Sequence, residues 1–479
     1  MAPKKAVNLA NLEALGAKRL AEILLELGSE DAGIKRRLRL ELSAEAGAEV
    51  VAADIGKRLA TLRQARSFVD WPKRRAVVKD LDLQRQLIVE KVARDRPDLA
   101  LELLWRFMGL AETVLNRVDD SRGDVGEVFR QACQDLGAIA AKASPDPVQL
   151  ADKIFEAVTG NDYGEYDRLT EVIMPALEGA GVARLKARLM AALAERPRRK
   201  DSFDSTASAL RRTLQGIADH EGDVDTFIAQ ETSRRSPHAA AAIATRLLAA
   251  GRAEEALVFL KQGAPIEPSA QDLEDEWAFA LEGTGTGDWE RAWVEALLAT
   301  DRQDEAQQFR WARFEARLDA AHLRAYLKAL PDFEDVEAER KALDHALGFR
   351  HFATALSFLV EWTELRYAAK LVLERSREID GNLYFVLDPA AKALEGKQPL
   401  AAALLRRAMI KDTLEGAKAT RYRHAARHLR ECRALEPDIR NHDSFETHDA
   451  FVTGLQARHG RKTGFWSQVA EHSGAAGLR

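Results

Sequence analysis

Residues 247–257 read LLAAGRAEEAL. Two leucines and a small residue close one apolar stripe, Gly251 interrupts it, and Glu254-Glu255-Ala256 opens another. Glycine just past a helical stripe marks a helix end, so the stretch predicts two helices joined by a tight turn. Residues 297–307 repeat the pattern as LLATDRQDEAQ, with Ala306 standing 50 residues after Ala256. Looser echoes are LRYAAKL at 365–371, PLAAALL at 399–405 and YRHAARHL at 422–429. A recurring helix–turn–helix unit predicts an all-α fold of stacked antiparallel helical hairpins, an α-solenoid.

The other apolar runs have the same period. Leu12, Leu15, Leu20, Ile23, Leu24 and Leu27 recur at mostly three- and four-residue steps, and Gly28 is expected to stop them. Val77, Leu81, Ile88 and Val92 follow Pro72, and Leu101, Leu104, Trp105, Met108 and Leu115 follow Pro97. A proline near the first helical turn costs no hydrogen bond there. Val125, Val128, Phe129, Ala132, Leu136 and Ile139 form a further stripe. Short polar connectors, such as DDSRGD at 119–124 and SPDP at 144–147, join these runs. The best strand candidate is LYFVL at 383–387, but Asp388-Pro389 follows directly, and a helix start or loop is the better reading. With 83 Ala against 14 Pro and 29 Gly, the composition favours helix throughout.

A chain of 479 residues is long enough for two or three domains. The most linker-like stretch is ERPRRKDSFDSTAS. It predicts an N-terminal helical domain over 1–195, a linker at 196–208, a helical-repeat domain over 209–472 and a frayed tail at 473–479. Weaker breaks are expected at 263–270 (GAPIEPSA) and 283–287 (GTGTG). Two cysteines, Cys133 and Cys432, are too few for a disulfide framework or a cysteine-rich zinc module. No leader and no membrane span is expected, which points to the cytoplasm. A net charge of −5 excludes a bulk polyanion binder but leaves room for local basic patches.

Two resemblances add to this reading. Gly251-Arg252-Ala253-Glu254-Glu255-Ala256 resembles the turn and second-helix start of a tetratricopeptide repeat, and the 33 residues from Ala369 to Ala402 are close to one such unit. It implies a tetratricopeptide-like C-terminal half. The chain as a whole resembles a family of uncharacterised bacterial all-helical proteins, grouped as a domain of unknown function. NLEAL at 11–15, KRRLRLEL at 35–42, RSFVDW at 66–71, LWRFM at 104–108, HLRAYLKALPDF at 322–333, RYRHAARHL at 421–429 and GRKTGFW at 460–466 carry it. The resemblance implies a bacterial cytoplasmic protein and brings no activity, cofactor or catalytic residue.

One helix stands out for chemistry, Thr420 to Glu436. At 100° per residue, Tyr422, Ala425, Ala426 and Leu429 make its apolar face, and Arg423, Arg427 and Arg430 fall within about 60° of one another beside it. From Ala402 to Arg433 nine basic residues, among them Arg406, Arg407, Arg421, Arg423, Arg427 and Arg430, stand against three acidic ones. Guanidinium groups bind phosphate and carboxylate bidentately, so the stripe suits an anion. Its plainer reading is a solvated face whose arginines pair with neighbouring helices. His424 and His428 sit one turn apart on the far side and are weak candidates for a metal. With Cys432 they step i, i+4, i+8, but three ligands along one straight helix span about 12 Å and do not converge. Cys432 reads better as core.

Other motifs fail on inspection. GLQARHGRKT at 454–463 has the wrong glycine spacing for a phosphate loop, and Gly460 reads as a helix end. The acids at 119–124 miss the calcium-loop spacing and read as helix caps. The aromatics of RSFVDW and of YGEY at 163–166 read as staples between helices. No nucleophile elbow, zinc-helix motif or dinucleotide loop occurs, and no cofactor is expected. The functional expectation is a non-enzymatic scaffold that holds a protein or peptide partner in a groove over residues ~206–440. The alternative is binding of nucleic acid or another anion through the Arg-rich helix near 406–433.

Overall fold

The computed structural model describes residues 7–30, 33–35, 38, 47–196, 204–266 and 286–471. The chain is all-α, with helices packed as consecutive hairpins. Among the described residues there is no β-strand, and a single bridge joins Val69 to Val118. LYFVL begins a helix, as its Asp-Pro ending implies. The chain divides into two compact units, Met1–Thr232 and Ser233–Arg479.

In the first unit the core is built by α1 (Ala48–Gln64), α2 (Trp71–Leu87), α3 (Pro97–Met108), α4 (Asp124–Ala143), α5 (Pro147–Thr159), α6 (Leu169–Ile173), α7 (Gly179–Ala194) and α8 (Ser205–Glu221). The starts are dictated locally. Asp120 accepts from the Val125 and Gly126 amides, both at 2.9 Å, so the acids before α4 do cap it. Asp146 accepts from Gln149 at 2.8 Å, with Pro147 in the first turn of α5. The stripes of α3 and α4 meet at Phe107 and Phe129, whose rings lie 5.3 Å apart. After α2 the chain runs into a π-helical turn, Ile88–Val92, which keeps Ile88 and Val92 in the core.

Three expectations change here. The stripe of Leu12, Leu15, Leu24 and Leu27 is exposed, and its helix runs past Gly28 to Glu30. The described core of this unit starts at Val51. The units also divide at Thr232, not at 196–208. Helix α8 packs on α5 and α7, and its Leu210, Leu214 and Ile217 belong to the first core. Residues 197–203, 267–285 and 472–479 lie outside the described residues, and with them most of the expected linker, parts of both weaker breaks and the tail. Finally, the aromatic staples are mixed. Tyr166 stacks on Trp105 at 6.4 Å, but Phe68, Trp71 and Tyr163 are exposed.

The second unit contains α9 (Pro237–Ala249), α10 (Ala253–Gln262), α11 (Gly287–Ala299), α12 (Gln303–Arg317), α13 (Phe352–Glu361), α14 (Leu365–Glu374), α15 (Tyr384–Leu394), α16 (Pro399–Glu415), α17 (Tyr422–Leu435), α18 (His448–His459) and α19 (Thr463–Glu471). Most pack on the next of these helices or the one after: α9 on α10 and α11, α11 on α12, α13 on α14 and α15, α14 on α16, α16 on α17, and α17 on α19. Gly460 ends α18, as its sequence context implies.

The turn read from LLAAGRAEEAL recurs as geometry. Gly251 is left-handed at φ 74°, and the Arg252 amide donates back to the Leu247 carbonyl at 2.8 Å. Asp301 takes its place in the next hairpin at φ 57°, with Arg302 donating to Leu297 at 2.9 Å. Thr363 (φ 65°) and Ala417 (φ 50°) close two further helices, where Glu364 donates to Leu359 and Lys418 to Thr413, both at 3.0 Å. These are Schellman caps, and only one of the four carries glycine. An L residue held left-handed costs about 1–2 kcal/mol. Glycine relieves that but adds about 0.4–1 kcal/mol of unfolded-chain entropy. Thr363→Gly and Ala417→Gly are therefore each expected to stabilise the second unit by roughly 0.5–1 kcal/mol. Urea unfolding would register this as a raised midpoint with an unchanged slope.

Candidate anion-binding site

Helix α17 turns Ala425, Ala426, Leu429 and Cys432 into the core of the second unit. The Cys432 Sγ sits 3.7 Å from the Ala403 carbonyl, and burial pushes its thiol up to about 12. It is a core residue, as the helical wheel implied. Helix α19 lies against α17 through Tyr422 and Phe465, whose rings meet edge to face at 6.1 Å. That contact sets Gln468 opposite the arginine stripe. Arg423, His424, Arg427, Arg430 and Gln468 together line a depression of about 390 Å³.

Among the described residues no acidic side chain lines this depression. Arg423 and His424 are exposed, and Arg427 and Arg430 are half-buried. Arg427 is partly neutralised, lying 3.7 Å from Asp388 of α15 and 3.5 Å from Glu431. Arg423 and Arg430 make no ion pair or hydrogen bond with the described residues. Like charges one turn apart on a helix repel, so holding these guanidiniums side by side is unfavourable until an anion joins them. Arg421 lies elsewhere. Its guanidinium covers the exposed Tyr384 ring at 5.0 Å.

Arg406 and Arg407 do not belong to the stripe. Both are buried, at 0% and 2% exposure, because α16 is covered on all sides. Arg406 pairs with Glu395 and with Glu431, the latter at 2.8 Å. Arg407 donates to the Glu446 carbonyl at 2.6 Å and lies 3.9 Å from the Glu436 carboxylate, over the Phe451 ring. The helical wheel could not show this, since the partners come from distant turns of other elements.

The two histidines part company too. His424 opens onto the depression, whereas His428 is buried with its Nδ1 2.9 Å from Glu431. Burial lowers the His428 pKa and outweighs the raising effect of Glu431. Burial pushes Glu431 up, but hydrogen bonds from His428 and Arg406 hold it below the usual carboxylate range. His428 thus bridges to Glu431 inside an ionic network, and His424 and His428 do not face a common ion. Among the described residues no group of three or more His, Cys, Asp or Glu side chains could hold a metal.

Sequence reasoning missed Gln468 in the site and Asp388 at its edge, beside Arg427. Gln468 reaches it through packing of α19 on α17, and Asp388 through packing of α15 on α16. Neither carries a local signal. A second cleft, of about 700 Å³, lies beside α16. Arg377, Arg407 and Lys411 line it together with Asp380, Asp412, Glu415 and Glu446, and Lys411 sits 3.8 Å from Glu446. Three cationic side chains face four carboxylates there, so it is no anion site. Among the described residues no helix is long and apolar enough to cross a membrane.

A family model described as "Family of unknown function (DUF6880)" matches residues 2–468. No curated protein matches the chain. Among solved structures, a "Circular tandem repeat protein with novel repeat topology and enhanced subunit contact surfaces" is similar at 13% identity over 94% of each chain, with a TM-score of 0.12. The match to the family spans nearly the whole sequence, helical runs and arginine stripe included, and the chain belongs to this family of unknown function.

Proposed function

We propose that the protein is a non-enzymatic interaction scaffold whose second unit anchors a partner protein by one anionic group, in the depression between α17 and α19. The observation that carries this is the pair of guanidiniums, Arg423 and Arg430, that no described residue compensates and that face Gln468 with no described acid in the lining. Desolvated Arg–carboxylate or Arg–phosphate contacts are the kind that anchor an interface. Stacked hairpins hold such a patch rigidly. Both cysteines are unpaired and buried, which supports a reducing, cytoplasmic setting.

A nucleic-acid reading is weaker. Polyanion binding draws on many cations along a track. Here Arg406 and Arg407 are inside the fold, and Asp388 and Glu431 flank what remains. On α16 and α17 the basic surface is a point and not a track.

The test is capture from lysate by the full chain and by its Arg423→Gln/Arg430→Gln variant, with and without nuclease, read by mass spectrometry. A partner that survives nuclease and is lost from the variant is the expected result. Partners that the variant retains, or that vanish with nuclease, would overturn the reading.

A further inference from the structure

Resting on that reading, we propose that the group bound between α17 and α19 is a phosphate monoester on a side chain of the partner. The first argument is charge. Arg427 is shared with Asp388 and Glu431, which leaves Arg423 and Arg430 as two uncompensated positive charges around one depression. A carboxylate would neutralise one of them. A phosphate monoester carries ≈ −1.5 to −2 charge at pH 7 and neutralises both.

The second argument is donor geometry. Three guanidiniums stand at positions 423, 427 and 430 of one helix, and the Gln468 amide comes from the facing helix. These donors approach from two sides. A planar carboxylate offers two oxygens in one plane, whereas a phosphate monoester offers three acceptor oxygens on a tetrahedron. Arginine's planar fork makes it the residue type suited to such recognition. Among the described residues no acidic side chain is in the lining, and the two nearby carboxylates, Asp388 and Glu431, lie against Arg427.

The third argument is access. Arg423 and His424 are exposed, so the depression opens to solvent and does not engulf what it holds. Sites for free small molecules bury most of the ligand's surface. An open site suits a group presented on a larger body, whose flanking residues add contacts on α17 and α19. Recognition of phosphorylated motifs by arginine clusters works in this way.

The experiment is a fluorescence-anisotropy titration of the full chain at fixed ionic strength. The probes are a degenerate peptide library with a central phosphoserine, the same library with serine, and the same library with glutamate. Phenyl phosphate serves as competitor. The phosphoserine library is expected to bind about tenfold or more tighter than the glutamate library. Arg423→Gln and Arg430→Gln should each weaken it about tenfold, because each removes a charge-assisted hydrogen bond. Neither arginine has a partner among the described residues, so both variants should keep the wild-type circular dichroism. Equal binding of the glutamate and phosphoserine libraries, lost in both variants, would overturn the phosphate assignment and leave the scaffold reading standing. Phenyl phosphate binding as tightly as the peptide would overturn the partner-borne source. If no library binds, the phosphate assignment falls. Retention of lysate partners by the double variant would then overturn the scaffold reading as well.

Discussion

Arg406→Met is expected to cost the second unit about 3 kcal/mol, which corresponds to a fall of roughly 6–12 °C in its melting temperature. Arg406 is fully buried and touches carboxylates on two helices, Glu395 at the end of α15 and Glu431 on α17. Removing one partner of a buried pair costs about 3–5 kcal/mol, because the other charge stays behind uncompensated. Here the abandoned side chains are 42% and 30% exposed, so water reaches both and the loss falls at the lower end. Methionine keeps much of the volume, which separates the charge effect from a cavity. The control is Arg423→Met on the exposed face of α17, which should move the melting temperature by no more than a degree or two. The network makes a sharper demand. Glu431 accepts from both Arg406 and His428, so the losses from Arg406→Met and Glu431→Gln should not add. Strict additivity in that double-mutant cycle would show that Arg406 acts alone.

This network also marks where the sequence stops being legible. The period of the apolar residues, the caps at Asp120 and Asp146, the hairpin at Gly251 and the helix end at Gly460 are local, and each could be read from a few neighbouring residues. The stripe of Arg423, Arg427 and Arg430 was legible for the same reason, since one helix sets its angles. Failure came wherever a second element decides. Arg406 and Arg407 read as basic surface, yet α16 is enclosed by neighbours that supply Glu395, Glu431 and Glu436. The stripe over residues 12–27 read as a helix ending at Gly28, but the helix runs on to Glu30 and Leu12, Leu15, Leu24 and Leu27 are exposed. Repetition was under-read for a further reason. Asp301, Thr363 and Ala417 hold the backbone that glycine signals at 251, so the geometry of the turn repeats while its sequence mark does not. The unit boundary moved because α8 follows a linker-like stretch and still completes the first core.

A glycine that no periodicity singles out carries the second large effect. Gly137→Ala should destabilise the first unit by about 2–3 kcal/mol, although alanine is the better helix former by about 1 kcal/mol. Gly137 lies inside α4, between the buried Leu136 and Ile139, at the point where α6 crosses. A Cβ there would stand 2.3 Å from the Val172 carbonyl oxygen and 2.8 Å from both its carbonyl carbon and its Cβ. Two of those three atoms are backbone, so no side chain can swing aside, and α6 itself must move away from α4. Displacing a packed element costs about 1–3 kcal/mol, and the clash here is close enough for the upper part of that range. The neighbouring surface provides the contrast. Gly179 has nothing within 4 Å of its would-be Cβ and no left-handed backbone, so Gly179→Ala should be neutral or slightly stabilising. Hydrogen exchange would read both outcomes. In Gly137→Ala, amides of α4 and α6 should lose protection together, because the two helices share one contact, while Gly179→Ala leaves them unchanged. Wild-type protection across α4 and α6 in Gly137→Ala would mean that the two helices do not pack as closely as Gly137 permits.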